Sequence, residues 1–298
     1  MGGSSLRKIH RQMVGENVLQ RSPKRPVCVR RTGRRDEPRR LSFDDIQDRR
    51  RAVDALTLAL SQWERGTEDD SRRAHPAAVH CEASVTPDDR YDVSGLPEAQ
   101  FEPGSSDRVL KNRLGITSKE EMAATEAWAL EQAMDELVRT YGETHRFTAM
   151  GLCDCHRIWL GGIYEWAGHY RRVNVSKDGF PFAAAAQVPV LIEQFERDVL
   201  QRCTPCTFED RAEVVRALAE THVELALIHP FRDGNGRLAR VLSTLMALQA
   251  GLPLLDFSVI AGKSKNAYIA AIQAGLDKHY APMEELLDEI IEQSRAPS

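Results

Sequence analysis

The residues with the plainest chemistry run together as His229-Pro230-Phe231-Arg232-Asp233-Gly234-Asn235-Gly236-Arg237-Leu238-Ala239-Arg240. His229 is the one side chain of this run that titrates near neutrality, and a neutral imidazole is the usual general base there. Asp233 offers hard carboxylate oxygens suited to Mg²⁺. Gly234 and Gly236 let a backbone turn tightly and come close to a ligand. Arg237 and Arg240 stand three residues apart, so on a helix they share a face and can grip phosphate oxygens. A base, a metal carboxylate and a phosphate cradle this close together describe transfer to or from a nucleotide. Phe231 is expected to do something else, as a buried anchor that fixes the loop.

Two helices must position this run. Upstream, residues 208–228 carry Val214, Val215, Leu218, Ala219, Val223, Ala226 and Ile228 at helical spacing. Thr207 and Asp210 offer a capping box at the start. Downstream, residues 235–249 form a second apolar-periodic run, closed by Gly251 with Pro253 just beyond. The Gly-Asn-Gly turn therefore opens a helix. The first amides of a helix have no internal partner and sit at the positive end of its dipole, which makes an anion nest.

The run resembles the Fic family signature, H-x-F-x-[D/E]-G-N-G-R-x-x-R, at every signature position. The similarity extends by motif order over residues 108–292 and includes Val109-Leu110-Lys111-Asn112-Arg113-Leu114-Gly115-Ile116. It implies an all-α fold, a Fic-type helical bundle with one small β-hairpin flap. It implies ATP as substrate and Mg²⁺ as cofactor, with AMP passing to a Ser, Thr or Tyr hydroxyl of a target protein and pyrophosphate leaving. On that reading His229 takes the hydroxyl proton, and Gly234, Asn235, Gly236, Arg237 and Arg240 hold the phosphates. Asp233 holds the metal. In the family the hairpin lays the target beside the catalytic loop, which places Val173, Asn174, Val175, Ser176 and Lys177 in the flap. Filamentation-type relatives imply the B subunit of DNA gyrase or topoisomerase IV as targets and a small antitoxin as a partner.

The rest of the chain divides around this core. Residues 1–40 hold 12 Lys/Arg against 3 Asp/Glu, so this part carries +9 and the remainder −13, which together give the chain's −4. A basic disordered tail is expected over 1–41. Residues 42–66 carry an amphipathic stripe, Ile46, Val53, Leu56, Leu60 and Trp63, and read as a helix that docks on something. It resembles the antitoxin helices that partner Fic proteins, which makes Glu64 the candidate inhibitory carboxylate, acting on Arg240. Leu60 and Arg65 depart from the family's inhibitory pattern, [S/T]-x-x-x-E-[G/N]. Residues 67–106, with four prolines, read as a linker ordered only near its end. The catalytic domain is expected over 107–294.

Within that domain a helix is expected from Lys119 to about Tyr141, capped by Ser118 and Glu121, and another from Thr148 to Trp159. Val173 and Val175 alternate with polar residues before Lys177-Asp178-Gly179, a hairpin signal. Residues 186–200 read as a helix with Val190, Phe195 and Val199 inward, and 263–275 and 282–294 as two closing helices. Ser264, Asn266 and Tyr268 could border an adenine pocket. Six cysteines are scattered as Cys28, Cys81, Cys153, Cys155, Cys203 and Cys206. The plain reading is reduced thiols, the alternative a zinc site built from the last four with His156.

No apolar run is long enough to span a membrane, and the start lacks a secretion signal's apolar core. A cytoplasmic protein is expected, as would be one delivered into another cell. Two other functions remain open on sequence. One is transfer of UMP, phosphocholine or a terminal phosphate. The other is a non-catalytic regulatory module touching nucleic acid through the basic tail, which leaves the signature unused; nucleic acid is therefore not an expected partner.

Overall fold

The computed structural model describes residues 95–260 and 265–295. The expected tail, the helix at 42–66 with Glu64, most of the linker, Cys28, Cys81 and Ser264 lie outside the described residues. Among the described residues, seven helices of eight or more residues and one two-stranded hairpin form the fold.

Local chemistry sets most helix ends. Helix α1 (Lys119–Thr140) begins where Ser118 Oγ accepts the Glu121 N–H at 3.2 Å. Helix α2 (Ala149–Leu160) begins where Thr148 Oγ1 accepts the Gly151 N–H at 3.0 Å. Such a cap satisfies an amide that the helix cannot. After the hairpin comes α3 (Val188–Phe195), which widens into a π turn over Glu196–Leu200 and ends in a short turn, Gln201–Cys203. The single helix expected at 186–200 is therefore composite. Its inward face is Val188, Ile192 and Phe195, at helical spacing. Val190 falls outside that stripe and is 50% exposed, contrary to expectation.

Helix α4 (Arg211–Ile228) is capped by Asp210, whose Oδ1 accepts the Ala212 N–H at 3.0 Å. Asp210 is thus the cap itself, not the third residue of a box begun by Thr207. Helix α5 (Asn235–Gln249) ends as expected at Gly251, with φ +72°. Gly251 N–H donates to Leu248 O and Leu252 N–H to Ala247 O, a Schellman closure. Helices α6 (Lys265–Ala274) and α7 (Ala281–Arg295) complete the set.

Helix α5 is the bundle's centre: all but two of its residues are buried. A helix covered on nearly every side has no solvent face to spend on polar residues without partners. Helix α4 packs against α5 and α7, and α1 packs against α2. The connection between α4 and α5 thus emerges from the core itself, which gives the loop rigid walls.

The hairpin is β1 (Ser176–Lys177) paired antiparallel with β2 (Phe180–Pro181), Ser176 opposite Pro181 and Lys177 opposite Phe180. Asp178 and Gly179 both have positive φ, +50° and +79°, the conformation a tight two-residue hairpin turn needs. The strands are shorter than the alternation of Val173 and Val175 suggested: Val173 is buried, and its carbonyl accepts from Arg171 Nη1 at 2.8 Å and not from a partner strand. Upstream, within the expected linker, Pro97–Ala99 form a single helical turn and Phe101 bridges to Leu110. Glu98 is buried there and its Oε2 pairs with Arg172 Nη2 at 3.0 Å.

Candidate active site

The loop from His229 to Gly234 owes its shape to its own side chains. Asn235 Oδ1 accepts the Phe231 N–H and Asn235 Nδ2 donates to Phe231 O, both at 2.8 Å. This side chain closes the loop like a staple, so what Asn235 can offer a ligand is its backbone amide. Phe231 is fully buried and stacks on His156 at 4.0 Å, with 13° between the rings. Burial of such a ring contributes roughly 1.5–3 kcal/mol. His156 Nδ1 accepts the Gly168 N–H at 2.9 Å, so its proton is on Nε2, which donates to Asp233 O at 3.1 Å. Burial holds this imidazole down to about 4, hence neutral. His156 is therefore a bracket for the loop and not a zinc ligand. Cys153, Cys155, Cys203 and Cys206 are buried free thiols, and no metal-binding cluster occurs among the described residues.

Gly234 makes the turn. Its φ is +79°, and a Cβ there would come within 2.8 Å of Trp159 Cζ3. Gly236 does not turn the chain, contrary to expectation: it lies in the first turn of α5, and its bare Cα leaves the cavity wall open. The first internal bond of α5 is Leu238 N–H to Gly234 O at 2.9 Å. The amides of Asn235, Gly236 and Arg237 thus have no carbonyl within the helix, the arrangement of an anion nest.

These amides open on a cavity of about 300 Å³. One wall is the hairpin, through Val175, Ser176, Lys177, Phe180 and Phe182. Another is His229 with the stretch Arg232–Arg237. The third comes from α6, through Lys265, Tyr268, Ile269 and Ile272. Of the expected flap residues, Val173 and Asn174 are not in the wall. Asn174 Oδ1 instead accepts the Ala185 N–H at 2.9 Å, tying the hairpin's base. Of the expected adenine-side residues, Tyr268 lines the cavity and Asn266 is exposed outside it.

His229 terminates α4 in the left-handed region, φ +52°. Its Nδ1 lies 3.0 Å from Ala226 O, an acceptor only, so Nδ1 carries the proton and Nε2 is the basic nitrogen. Phe182 stacks on the ring at 3.6 Å and 14°. Burial first, then Arg171 and Lys177, push the imidazole down to about 4, against the Ala226 carbonyl and Asp233, which favour the charged form. The imidazole is thus neutral throughout the physiological range.

Asp233 keeps a half-exposed side chain on the cavity. Burial works to raise its pKa, but Arg237, the Gly234 amide, Arg232 and Lys177 outweigh it and hold it below the usual carboxylate range. An ionised carboxylate on this wall fits a hard divalent cation.

The two signature arginines part company. Arg237 is at the wall, but its Nη1 pairs with Glu126 Oε2 at 2.7 Å and its guanidinium lies over Trp159 at 4.6 Å. Tyr164 O–H donates to the other oxygen of Glu126 at 2.5 Å. Arg240 is 1% exposed and stands behind the wall, with Nη1 3.9 Å from where a Gly236 Cβ would be and its charge against Tyr268 and His222. Ser243 O–H donates to Ala239 O, so His222 Nδ1–H donates to Ser243 Oγ at 3.0 Å. Nε2 of His222 then accepts from the Tyr268 hydroxyl at 2.7 Å. A directed chain therefore fixes Tyr268 in the cavity wall.

Sequence reasoning missed Glu126, Arg171, Phe182 and His222. Glu126 had a signal: it is the one acid on the buried stripe Met122, Leu130, Ala133 and Leu137 of α1. Arg171 and His222 had none beyond their identity.

Comparison with known proteins agrees with this architecture. The Fic/DOC family model matches residues 146–247. A probable protein adenylyltransferase Fic from Salmonella typhimurium is 32% identical over 151 residues, which are 49% of this chain and 71% of that protein. The chain belongs to the Fic/DOC family. The protein adenylyltransferase VbhT from Bartonella schoenbuchensis is 30% identical over 54% of this chain, which spans only 33% of that protein's length. Among solved structures, the BepC effector of Bartonella tribocorum, with bound AMPPNP, superposes with a TM-score of 0.52 at 23% identity, over 66% of this chain and 97% of that one. The Fic domain of a Bartonella quintana effector, with bound ADP, gives 0.53 at 25% identity over 65% and 95%. The bundle is the Fic fold. No helix among the described residues is long and apolar enough to cross a membrane.

Proposed function

We propose that this protein is a protein adenylyltransferase that moves AMP from Mg-ATP to a hydroxyl of a target protein. The observation that carries this reading is the pairing of a neutral His229, its proton held on Nδ1 by Ala226 O, with the open N-terminus of α5 across one cavity. Relatives named protein adenylyltransferases, and neighbours solved with AMPPNP or ADP, support ATP as the donor.

The amides of Asn235, Gly236 and Arg237 would hold the phosphates, aided by the helix dipole. Asp233 would hold Mg²⁺, which when bound neutralises phosphate charge. A Ser, Thr or Tyr side chain lying along the hairpin edge would bring its hydroxyl to His229 Nε2, in the manner of strand addition. Nε2 takes the hydroxyl proton, the oxygen forms a bond to the α-phosphorus, and the bond to the β-phosphate breaks, releasing pyrophosphate. Positioning and charge neutralisation provide most of such catalysis. The buried, ion-paired Arg237 acts as a fixed positive wall, and Arg240 supports it from behind Gly236.

The partner this requires is a protein with an accessible hydroxyl; the B subunit of DNA gyrase and topoisomerase IV are the first to try. The test uses purified protein, Mg²⁺ and a cell lysate, with ATP radiolabelled at either the α- or the γ-phosphate. Label entering a protein band from the α-position alone is expected. Label from the γ-position alone would assign terminal-phosphate transfer instead.

A further inference from the structure

The C-terminus of α4 is organised around a buried charge, the guanidinium of Arg171. Arg171 is 2% exposed, and its hydrogen-bond partners are all carbonyl oxygens. Nε–H donates to His229 O at 2.7 Å and Nη1 to Val173 O at 2.8 Å. Nη2 donates to Ala183 O and, at 3.4 Å, to Ile228 O. The backbone N–H of the same residue donates to Pro230 O at 2.9 Å.

A buried cation with no carboxylate would be costly in an ordinary core. Here it meets the last carbonyls of α4, which lack helical partners and carry the negative end of the dipole. The fork of five N–H groups suits several acceptors spread in a plane; a lysine ammonium would reach fewer and fix none in direction.

These acceptors belong to three separate pieces of the site. Val173 leads into β1, Ala183 follows β2, and His229 is the base. The stacking of Phe182 on the His229 ring adds a side-chain contact between the same pieces. The phosphate-facing amides at the start of α5 are not among Arg171's partners.

We propose that Arg171 is a positioning residue that latches both roots of the hairpin to the loop bearing His229, so that a target lying on the hairpin and the base keep one fixed spacing. The role in transfer rests on the adenylyltransferase reading of this site; the latch does not.

The test compares full-length wild type with Arg171→Met and Arg171→Lys by ATP affinity, AMP-transfer kinetics and amide hydrogen exchange. Loss of the latch misplaces two reacting partners but not the nucleotide. Transfer kcat should therefore fall about 100-fold in Arg171→Met, with ATP affinity changed by no more than about twofold. Arg171→Lys should not restore the rate, although it keeps the charge. Exchange should quicken in 173–183 and 229–234 of both variants and stay unchanged in α1 and α7. Wild-type transfer by Arg171→Lys, or unaltered exchange in the hairpin, would overturn the proposal. Should both variants fail to fold, exchange in the wild type decides. A shared opening rate for the amides of Asn174, Ala185 and His229 supports the latch, and independent opening refutes it. If wild type transfers no AMP, the functional reading fails while the exchange result still decides the latch.

Discussion

At the scale of single residues, the site separates what holds the loop from what meets the cavity. Asn235, Phe231 and His156 spend their polar atoms or ring faces on the loop itself. His229 and Asp233 both reach the cavity wall, one neutral and one ionised. Their environments push them to opposite protonation behaviour, which suits the proposed roles of base and cation ligand. If Asp233 holds Mg²⁺, Asp233→Asn removes its charge while the oxygen that accepts the Gly234 N–H remains. The Mg²⁺ concentration needed for half-maximal transfer should then rise about tenfold or more, since a hard cation prefers an anionic oxygen. Thermal stability without nucleotide should change little. An unaltered Mg²⁺ requirement would assign the metal to another group.

At the scale of elements, the central fact is that α4 ends and α5 begins within one short loop buried at both sides. Its tightest point is Gly234. Gly234→Ala would place a methyl 2.8 Å from Trp159 and force a positive φ on a residue with a Cβ. The backbone cost alone is about 1–2 kcal/mol, so the unfolding free energy from urea denaturation should fall by at least that much and the midpoint with it. Gly236→Ala meets nothing closer than 3.9 Å, so it should leave the midpoint in place and weaken nucleotide affinity by narrowing the cavity. Equal stability losses at the two glycines would contradict this division. The boundaries of these elements were legible because caps are local: Ser118, Thr148 and Gly251 each do what their identity suggests. The inward face of α3 was not, because Val190 is apolar yet lies off the stripe that α3's start at Val188 defines. Apolar pattern also hides polar residues that belong inside. Glu126, Arg171, His156 and His222 are buried because each has a partner, and those partners lie far away in sequence.

At the scale of the whole molecule, the bundle buries neutral histidines. His156 and His229 are held at about 4 and His222 at about 3, by burial first in each case. The unfolded chain takes up these protons near pH 6.5, whereas the folded one resists until about 4 or below. Between those limits the unfolded state binds more protons, so stability falls as pH falls, by up to about 1.4 kcal/mol per pH unit for each histidine. Denaturation midpoints should be flat above pH 7 with respect to these groups and decline from about 6.5 towards 4. A flat profile across that window would show that the imidazoles are charged in the native protein. The signature, its helices and the hairpin turn were all visible in order along the chain. The buried chains that hold them, such as Tyr268 to His222 to Ser243, needed the fold.

The central claim is that His229 takes a proton from a target hydroxyl while the start of α5 holds the donor nucleotide. Intact-mass measurement of a target incubated with Mg-ATP and either wild type or His229→Ala tests it most directly. Wild type should add the mass of AMP to the target, and His229→Ala should add nothing although it still takes up ATP. The same AMP adduct formed at the same rate by both proteins, or an adduct of a single phosphate, would contradict the account.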